Sequence, residues 1–138
     1  MSDIKAGFVG LGAMGQPMAG HLHKAGLLAC VWTRTPANTT AISAELGLAA
    51  PASLAELATQ CNVIALCVPQ DADVLADVET IAVHTRPGWV VIDHSTVSSR
   101  TAREAQARMR AAGGDLIDAP VSGGVEGARN GKLSIMVG

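Results

Sequence analysis

Gly10-Leu11-Gly12-Ala13-Met14-Gly15 follows a short apolar run, Ile4 to Val9, and leads into a helical pattern. Glycines at this spacing suit the binding of a pyrophosphate. The first permits a tight turn out of a strand, and the second lets backbone approach a phosphate with no Cβ in the way. The third lets the helix lie close against the strand. The helix N-terminus adds unpaired N–H groups and the positive end of its dipole. Met14, Met18 and Leu22 continue the segment at i, i+4 and i+8, on one helical face. A glycine-rich turn without a ligand has the same spacing. The strand before it and the helix after it favour the dinucleotide reading.

Residues able to choose between cofactors lie at the end of the next apolar run, Leu28 to Trp32, where the chain reads Thr33-Arg34-Thr35-Pro36. A site selective for NAD places an Asp or Glu here, on the adenosine ribose hydroxyls, about 20 residues beyond the glycine turn. No acidic residue occurs between Asp3 and Glu45. Arg34, flanked by two hydroxyls and with no carboxylate opposing it, is instead the donor set for a 2′-phosphate. NADP is therefore expected over NAD, against the plainer reading of a solvated surface arginine.

Two later loops carry the remaining polar chemistry. Asp93-His94-Ser95-Thr96 places two hydroxyls after a strand, where Ser95 and Thr96 could bond ribose or nicotinamide groups or simply cap the following helix. Asp118-Ala119-Pro120-Val121 leads into Ser122-Gly123-Gly124, a hydroxyl beside two glycines. Successive N–H groups in such a turn can cradle a substrate carboxylate. A plain glycine turn fits equally well. His21, His23, His84 and His94 have no carboxylate or serine partner at useful spacing, and read as surface or loop residues, not catalytic bases.

The elements that must position these groups alternate along the chain. A short helix is expected over residues 38–45, ending near Gly47, and a second, capped by Ser53, through Thr59. Residues 62–68 are almost wholly apolar, as in a strand buried on both faces of a parallel sheet. Pro69 ends that run, and Asp71 and Asp73 suit the first turn of a helix. Arg86-Pro87-Gly88 is a turn before a strand over 89–93. Ser98 or Ser99 caps a helix over 101–112 that Gly113-Gly114 stops. Strands over 115–121 and 133–137 complete the chain. This pattern predicts a single α/β domain over 1–138. It would be a Rossmann-type, doubly wound and mostly parallel sheet, with helices on both faces and ligands at the carboxyl ends of its strands.

Composition narrows the partners. The chain of 138 residues is 49% hydrophobic and 16% charged, with a formal net charge of −2. Phe8, Trp32 and Trp89 are its only aromatics, too few for a stacking platform on single-stranded nucleic acid, and no basic cluster marks a phosphate-backbone footprint. No apolar stretch approaches a membrane span, and the N-terminus does not resemble a secretory signal. Cys30, Cys61 and Cys67 lack metal spacing and read as buried thiols, which points to a reducing, cytoplasmic setting.

Taken together, the runs at 10–19, 31–35, 93–98, 118–128 and 131–138 resemble the β-hydroxyacid dehydrogenases. These include 3-hydroxyisobutyrate dehydrogenase, tartronate semialdehyde reductase and NADPH-dependent glyoxylate or succinic semialdehyde reductases. The resemblance covers the entire chain. It implies a cofactor site lined by residues 10–15, by the Val68-Pro69-Gln70 turn and by Thr96. It also implies that Ser122, Gly123 and Gly124 hold the carboxylate and hydroxyl of a small hydroxyacid or semialdehyde. NAD-using members can carry Asp where Thr33 stands, so Thr33-Arg34 groups this chain with NADP users. In the family an all-helical domain follows, bringing the catalytic lysine and most of a homo-oligomeric interface. Lys5, Lys24 and Lys132 lie in no matching motif, so no catalytic residue is expected within this chain. The alternatives are the nucleotide-binding half of an imine reductase, or a nucleotide-binding module without catalysis.

Overall fold

The computed structural model describes residues 3–138. β1 (Ala6–Val9) turns through the glycine segment into α1 (Gly15–Lys24), and β2 (Leu28–Trp32) follows. Helices α2 (Pro36–Leu46) and α3 (Leu54–Gln60) precede β3 (Val63–Leu66). The chain continues as α4 (Asp71–His84), β4 (Val90–Asp93), α5 (Ser99–Ala111) and β5 (Asp115–Asp118). It closes with β6 (Val121–Ser122), α6 (Gly124–Arg129) and β7 (Ser134–Ile135).

Local chemistry accounts for most boundaries. Ser53 Oγ accepts the Glu56 N–H at the start of α3, and Ser98 Oγ accepts the Thr101 N–H at the start of α5. Three helices end on the same paired bonds. Gly26 and Leu27 close α1, Gly47 and Leu48 close α2, and Gly113 and Gly114 close α5. In each case the first residue of the pair is a glycine at positive φ.

β1 to β5 form one parallel sheet in the order β2-β1-β3-β4-β5. Side chains alternate between its faces, as the two-residue strand period requires. Val9, Ile64 and Leu66 point into an apolar layer with Leu57, Ile81 and Met109 from α3, α4 and α5. Phe8 and Ala65 point to the other face, where Ala19, Met18 and Leu22 of α1 and Ile42 of α2 pack. The order reverses between β1 and β3, so the loops leaving their carboxyl ends run to opposite faces of the sheet and open a crevice at the switch point.

The end of the chain departs from the sequence expectation. A strand over 115–121 stops at Asp118, because Pro120 has no N–H to continue a ladder. β6 and β7 do not join the parallel sheet. They pair antiparallel with each other, and the unpredicted α6 lies between them. Bonds from Met136 N–H to Pro120 O (2.9 Å) and from Gly138 N–H to Asp118 O (2.7 Å) carry this pairing back toward the end of β5.

Candidate cofactor site

The crevice between the ends of β1 and β3 opens into a cleft of about 370 Å³. Gly10, Leu11, Gly12, Ala13, Met14 and Gly15 all line it, joined by Thr33 and Arg34 after β2 and by Val68 and Pro69 after β3. Trp32, Cys67, Asp73 and Asp77 line it too, and none of these four is a site residue that sequence reasoning singled out.

The three glycines are there for different reasons. A Cβ on Gly10 would run into the Cys67 carbonyl oxygen, and its φ of +96° is costly for other residues. A Cβ on Gly15 would strike the Gly10 carbonyl oxygen and lie 3.2 Å from Phe8. Both positions are demanded by the protein's own backbone. Gly12 differs: a Cβ there would meet nothing within 4 Å, and the residue is exposed in the cleft. Folding alone gives no steric reason for glycine at that position, whereas a pyrophosphate against the backbone does. Just beyond, α1 starts without a side-chain cap; its Gln16 N–H turns back to the Gly12 carbonyl (3.0 Å) and Pro17 has none, so the helix offers the cleft the positive end of its dipole at Met14 and Gly15. The residues present fit a dinucleotide.

Arg34 lies at the rim, its side chain 69% exposed. The expectation that no carboxylate opposes it is overturned. Asp73, on the first turn of α4, holds Arg34 Nη1 at 3.0 Å. Asp77, one turn further on, is 9% exposed, and among the described residues no hydrogen bond or ion pair holds its carboxylate. Burial, and then the neighbouring Asp73 charge, pushes the Asp77 carboxyl up to about 6, against the pull of Arg34. A sequence signal existed: two acids at i and i+4 on a helix that starts at the ligand edge. As a helix-start charge alone, Asp73 gives no sign of its contact with Arg34. Thr33 is fixed locally by Thr39, whose Oγ1 accepts the Thr33 N–H and donates to the Thr33 carbonyl.

Several expected site residues stand outside the cleft lining. Thr35 caps α2 through its backbone, Gln70 does the same for α4, and Thr96 is exposed in the loop after β4. Ser95 is buried, and its Oγ accepts the Val68 N–H at 2.9 Å. Its own N–H donates to Asp93 Oδ1 at 2.9 Å. Ser95 thus latches the turn after β3 to the end of β4. Asp93 itself is fully buried, and its Oδ2 has no hydrogen-bond partner. Burial raises the Asp93 carboxyl above its ordinary range, opposed by hydrogen bonding from Ser95. A second latch runs from Asp71, whose Oδ2 accepts from Thr101 Oγ1 (2.7 Å) and the Ser98 N–H (3.2 Å). Those bonds hold its carboxyl below the usual range.

Ser122, Gly123 and Gly124 sit apart from the cleft, at the ribbon and the start of α6, all three exposed. Gly123 and Gly124 adopt φ of +131° and +64°, so glycine is required there by backbone conformation. The segment is tied down by two histidines read from sequence as surface or loop residues. His21 Nε2–H donates to the carbonyls of Ala128 (2.7 Å) and Arg129 (3.1 Å), fastening the end of α6 to α1. His94 Nδ1–H donates to the Ala119 carbonyl at 2.8 Å. Cys30 and Cys61 are buried with their sulfurs 3.6 Å apart, and Cys67 lines the cleft. No group of residues able to hold a metal ion occurs among the described residues, and none of their helices is long and apolar enough to cross a membrane.

Similar proteins share this architecture. The chain matches the family described as the NAD binding domain of 6-phosphogluconate dehydrogenase over residues 5–138. It is 36% identical over 138 residues to 2-hydroxy-3-oxopropionate reductase of Escherichia coli, which covers 98% of this chain and 47% of that protein. It is 36% identical over 134 residues to NAD-dependent L-serine dehydrogenase of Pseudomonas aeruginosa, covering 95% of this chain and 45% of the other. The solved structure of Mycobacterium tuberculosis 3-hydroxyisobutyrate dehydrogenase with L-serine superposes with a TM-score of 0.91 at 34% identity, over 98% of this chain and 46% of that one. The chain therefore spans about half the length of the curated relatives it matches. A glycine turn at the switch point of a parallel sheet and a family match along nearly the whole chain lead to one conclusion: this chain belongs to the family described as the NAD binding domain of 6-phosphogluconate dehydrogenase.

Proposed function

We propose that this chain is the NADP(H)-binding part of a hydroxyacid dehydrogenase or semialdehyde reductase. The observation that carries this reading is Gly12, whose missing Cβ leaves open space in a cleft that also presents Arg34. Gly10, Gly12 and Gly15 with the first turn of α1 receive the pyrophosphate, and Arg34 with Thr33 receives the 2′-phosphate. Val68 and Pro69 form the wall after β3. Ser95 holds that wall in place through the Val68 N–H. The exposed Ser122-Gly123-Gly124 segment orients the substrate carboxylate through its hydroxyl and backbone N–H groups. When bound, the nicotinamide exchanges hydride with the carbonyl carbon of a short semialdehyde or 2-oxo acid. The protein supplies position and electrostatics.

No lysine lines the cleft. Lys5, Lys24 and Lys132 are all exposed. A proton donor for the carbonyl oxygen is therefore assigned to the part of the relatives that this chain does not span. The purified 138-residue chain is expected to bind cofactor without reducing glyoxylate or a semialdehyde. NADPH-dependent turnover by it would place the donor within these residues.

Calorimetry with NADPH and NADH tests the cofactor assignment. NADPH should bind more tightly. Arg34→Ala should remove that preference, since a hydrogen bond to a charged group contributes roughly 1.5–3 kcal/mol. Equal affinities in the wild-type chain, or a preference unchanged in Arg34→Ala, would overturn it.

A further inference from the structure

We propose that Asp73 is a specificity-determining residue for the cofactor: it competes with the 2′-phosphate for Arg34 and offers a carboxylate to the ribose 2′-hydroxyl of the unphosphorylated cofactor. The inference rests on the cofactor reading above and deepens it.

In dinucleotide folds an acid near the end of the second strand accepts from the ribose hydroxyls, about 20 residues past the glycine turn. Here β2 ends in Trp32 and is followed by Thr33 and Arg34, with no acid. The fold supplies one from another element. The switch point brings α4 to the same edge, and Asp73 on its first turn lines the same cleft as Thr33, Arg34 and the glycine turn. The carboxylate is the better-fixed partner, its side chain 16% exposed against 69% for Arg34. The arginine is therefore the freer member of the pair, and because only its Nη1 is engaged, an anion bound at the rim must share the guanidinium with Asp73 against that carboxylate's charge.

Asp77 gives independent support. It lines the cleft, is nine-tenths buried, and makes no hydrogen bond or ion pair among the described residues. A buried carboxylate is ordinarily paired or hydrogen-bonded. The Asp77 oxygens are not sealed in the core but open toward the cleft without a protein donor, which suits a ligand that brings donors, such as ribose hydroxyls, and ill suits a phosphate dianion. With both acids ionised they outnumber Arg34, so the rim carries a net negative charge despite the arginine. Arg34 favours the 2′-phosphate, and Asp73 restrains that preference.

The test is the ratio of NADPH to NADH affinities, measured by calorimetry on the wild-type chain, Asp73→Asn and Asp73→Ala. Circular dichroism of each variant checks its fold. Freeing Arg34 and removing one negative charge should raise NADPH affinity by roughly three- to tenfold, with NADH affinity unchanged or lower. In an Arg34→Ala background the same substitution should gain less, because one of its two effects is gone. If Asp73 instead orders Arg34 for the phosphate, both Asp73 variants will lose NADPH affinity, and the proposal fails. An unchanged ratio in both overturns it equally. If the wild-type chain binds neither nucleotide, the cofactor reading itself falls. If it binds both and only the Asp73 shift is absent, the cofactor reading stands and this inference alone is lost.

Discussion

The glycine-turn cleft and the Ser122–Gly124 segment, the two regions proposed above to meet ligands, are built differently. The cleft is embedded in the parallel sheet. Gly10 touches the backbone after β3, Gly15 packs on Gly10 and Phe8, and Ser95 and Asp71 bolt adjacent loops together. Its shape is a consequence of the core. The other segment stands outside that sheet, on a two-stranded ribbon and a six-residue helix, exposed at Ser122, Gly123 and Gly124. It is held by the pairing of β6 with β7, by the bonds from Met136 and Gly138 back to Pro120 and Asp118, and by the tethers of His21 and His94. One region is preorganised by burial, and the other stands exposed outside the main sheet.

The largest expected effect separates the glycines of the cleft itself. Gly15→Ala should destabilise the fold by about 3 kcal/mol or more, because its Cβ meets backbone that cannot move without displacing β1. Thermal unfolding would register this. Gly12→Val should leave the melting temperature nearly unchanged and abolish nucleotide binding in calorimetry. Retained binding in folded Gly12→Val would show that the pyrophosphate does not lie on this turn.

Next comes the buried charge of the cleft. The Asp77 carboxyl is raised to about 6 from 3.8, so the folded state holds its proton more tightly than the unfolded chain does. Its contribution to stability is then fully present below the unfolded value and is lost as pH rises through about 6. Asp77→Asn, which cannot ionise, should be more stable relative to wild type at pH 8 than at pH 5, by about 1 kcal/mol after allowance for screening. A pH-independent difference in unfolding free energy would contradict the assignment.

Smaller effects are expected at the outlying segment. His21→Ala removes the tether on α6 and should cost about 1 kcal/mol. The loss should appear as faster amide exchange over residues 124–130 and not in β1 or β3. Protection unchanged there would mean that the ribbon holds α6 without the histidine. Ser122→Ala, at an exposed position, should alter stability by less than about 0.5 kcal/mol. Any larger change would place the hydroxyl in the fold and weaken its reading as a substrate contact.

What was legible from sequence was local. The glycine turn, the Ser53 and Ser98 caps, the glycine-terminated helices and the apolar strands all depend on neighbours within a few residues, and each lies close to where its pattern put it. Strand ends were less legible. Residues 62–68 are almost wholly apolar, but the ladder of β3 covers only Val63–Leu66, since the chain leaves the sheet to form the cleft wall. The pairing of β6 with β7 was hidden for a similar reason. Two short apolar runs do not say which partner they take, and Pro120 decided against the parallel sheet.

The sequence by itself determined the order of elements, the parallel α/β class and the edge at which a dinucleotide would sit, because periodicity, turn chemistry and caps act over short distances. Only the tertiary structure decided what surrounds Arg34. Asp73 lies 39 residues away along the chain and one hydrogen bond away in space. The reversal of strand order between β1 and β3 is what brings α4 to that rim. Charge acts through space and not along the chain, so the balance between a 2′-phosphate and a bare ribose became visible only once the sheet was assembled.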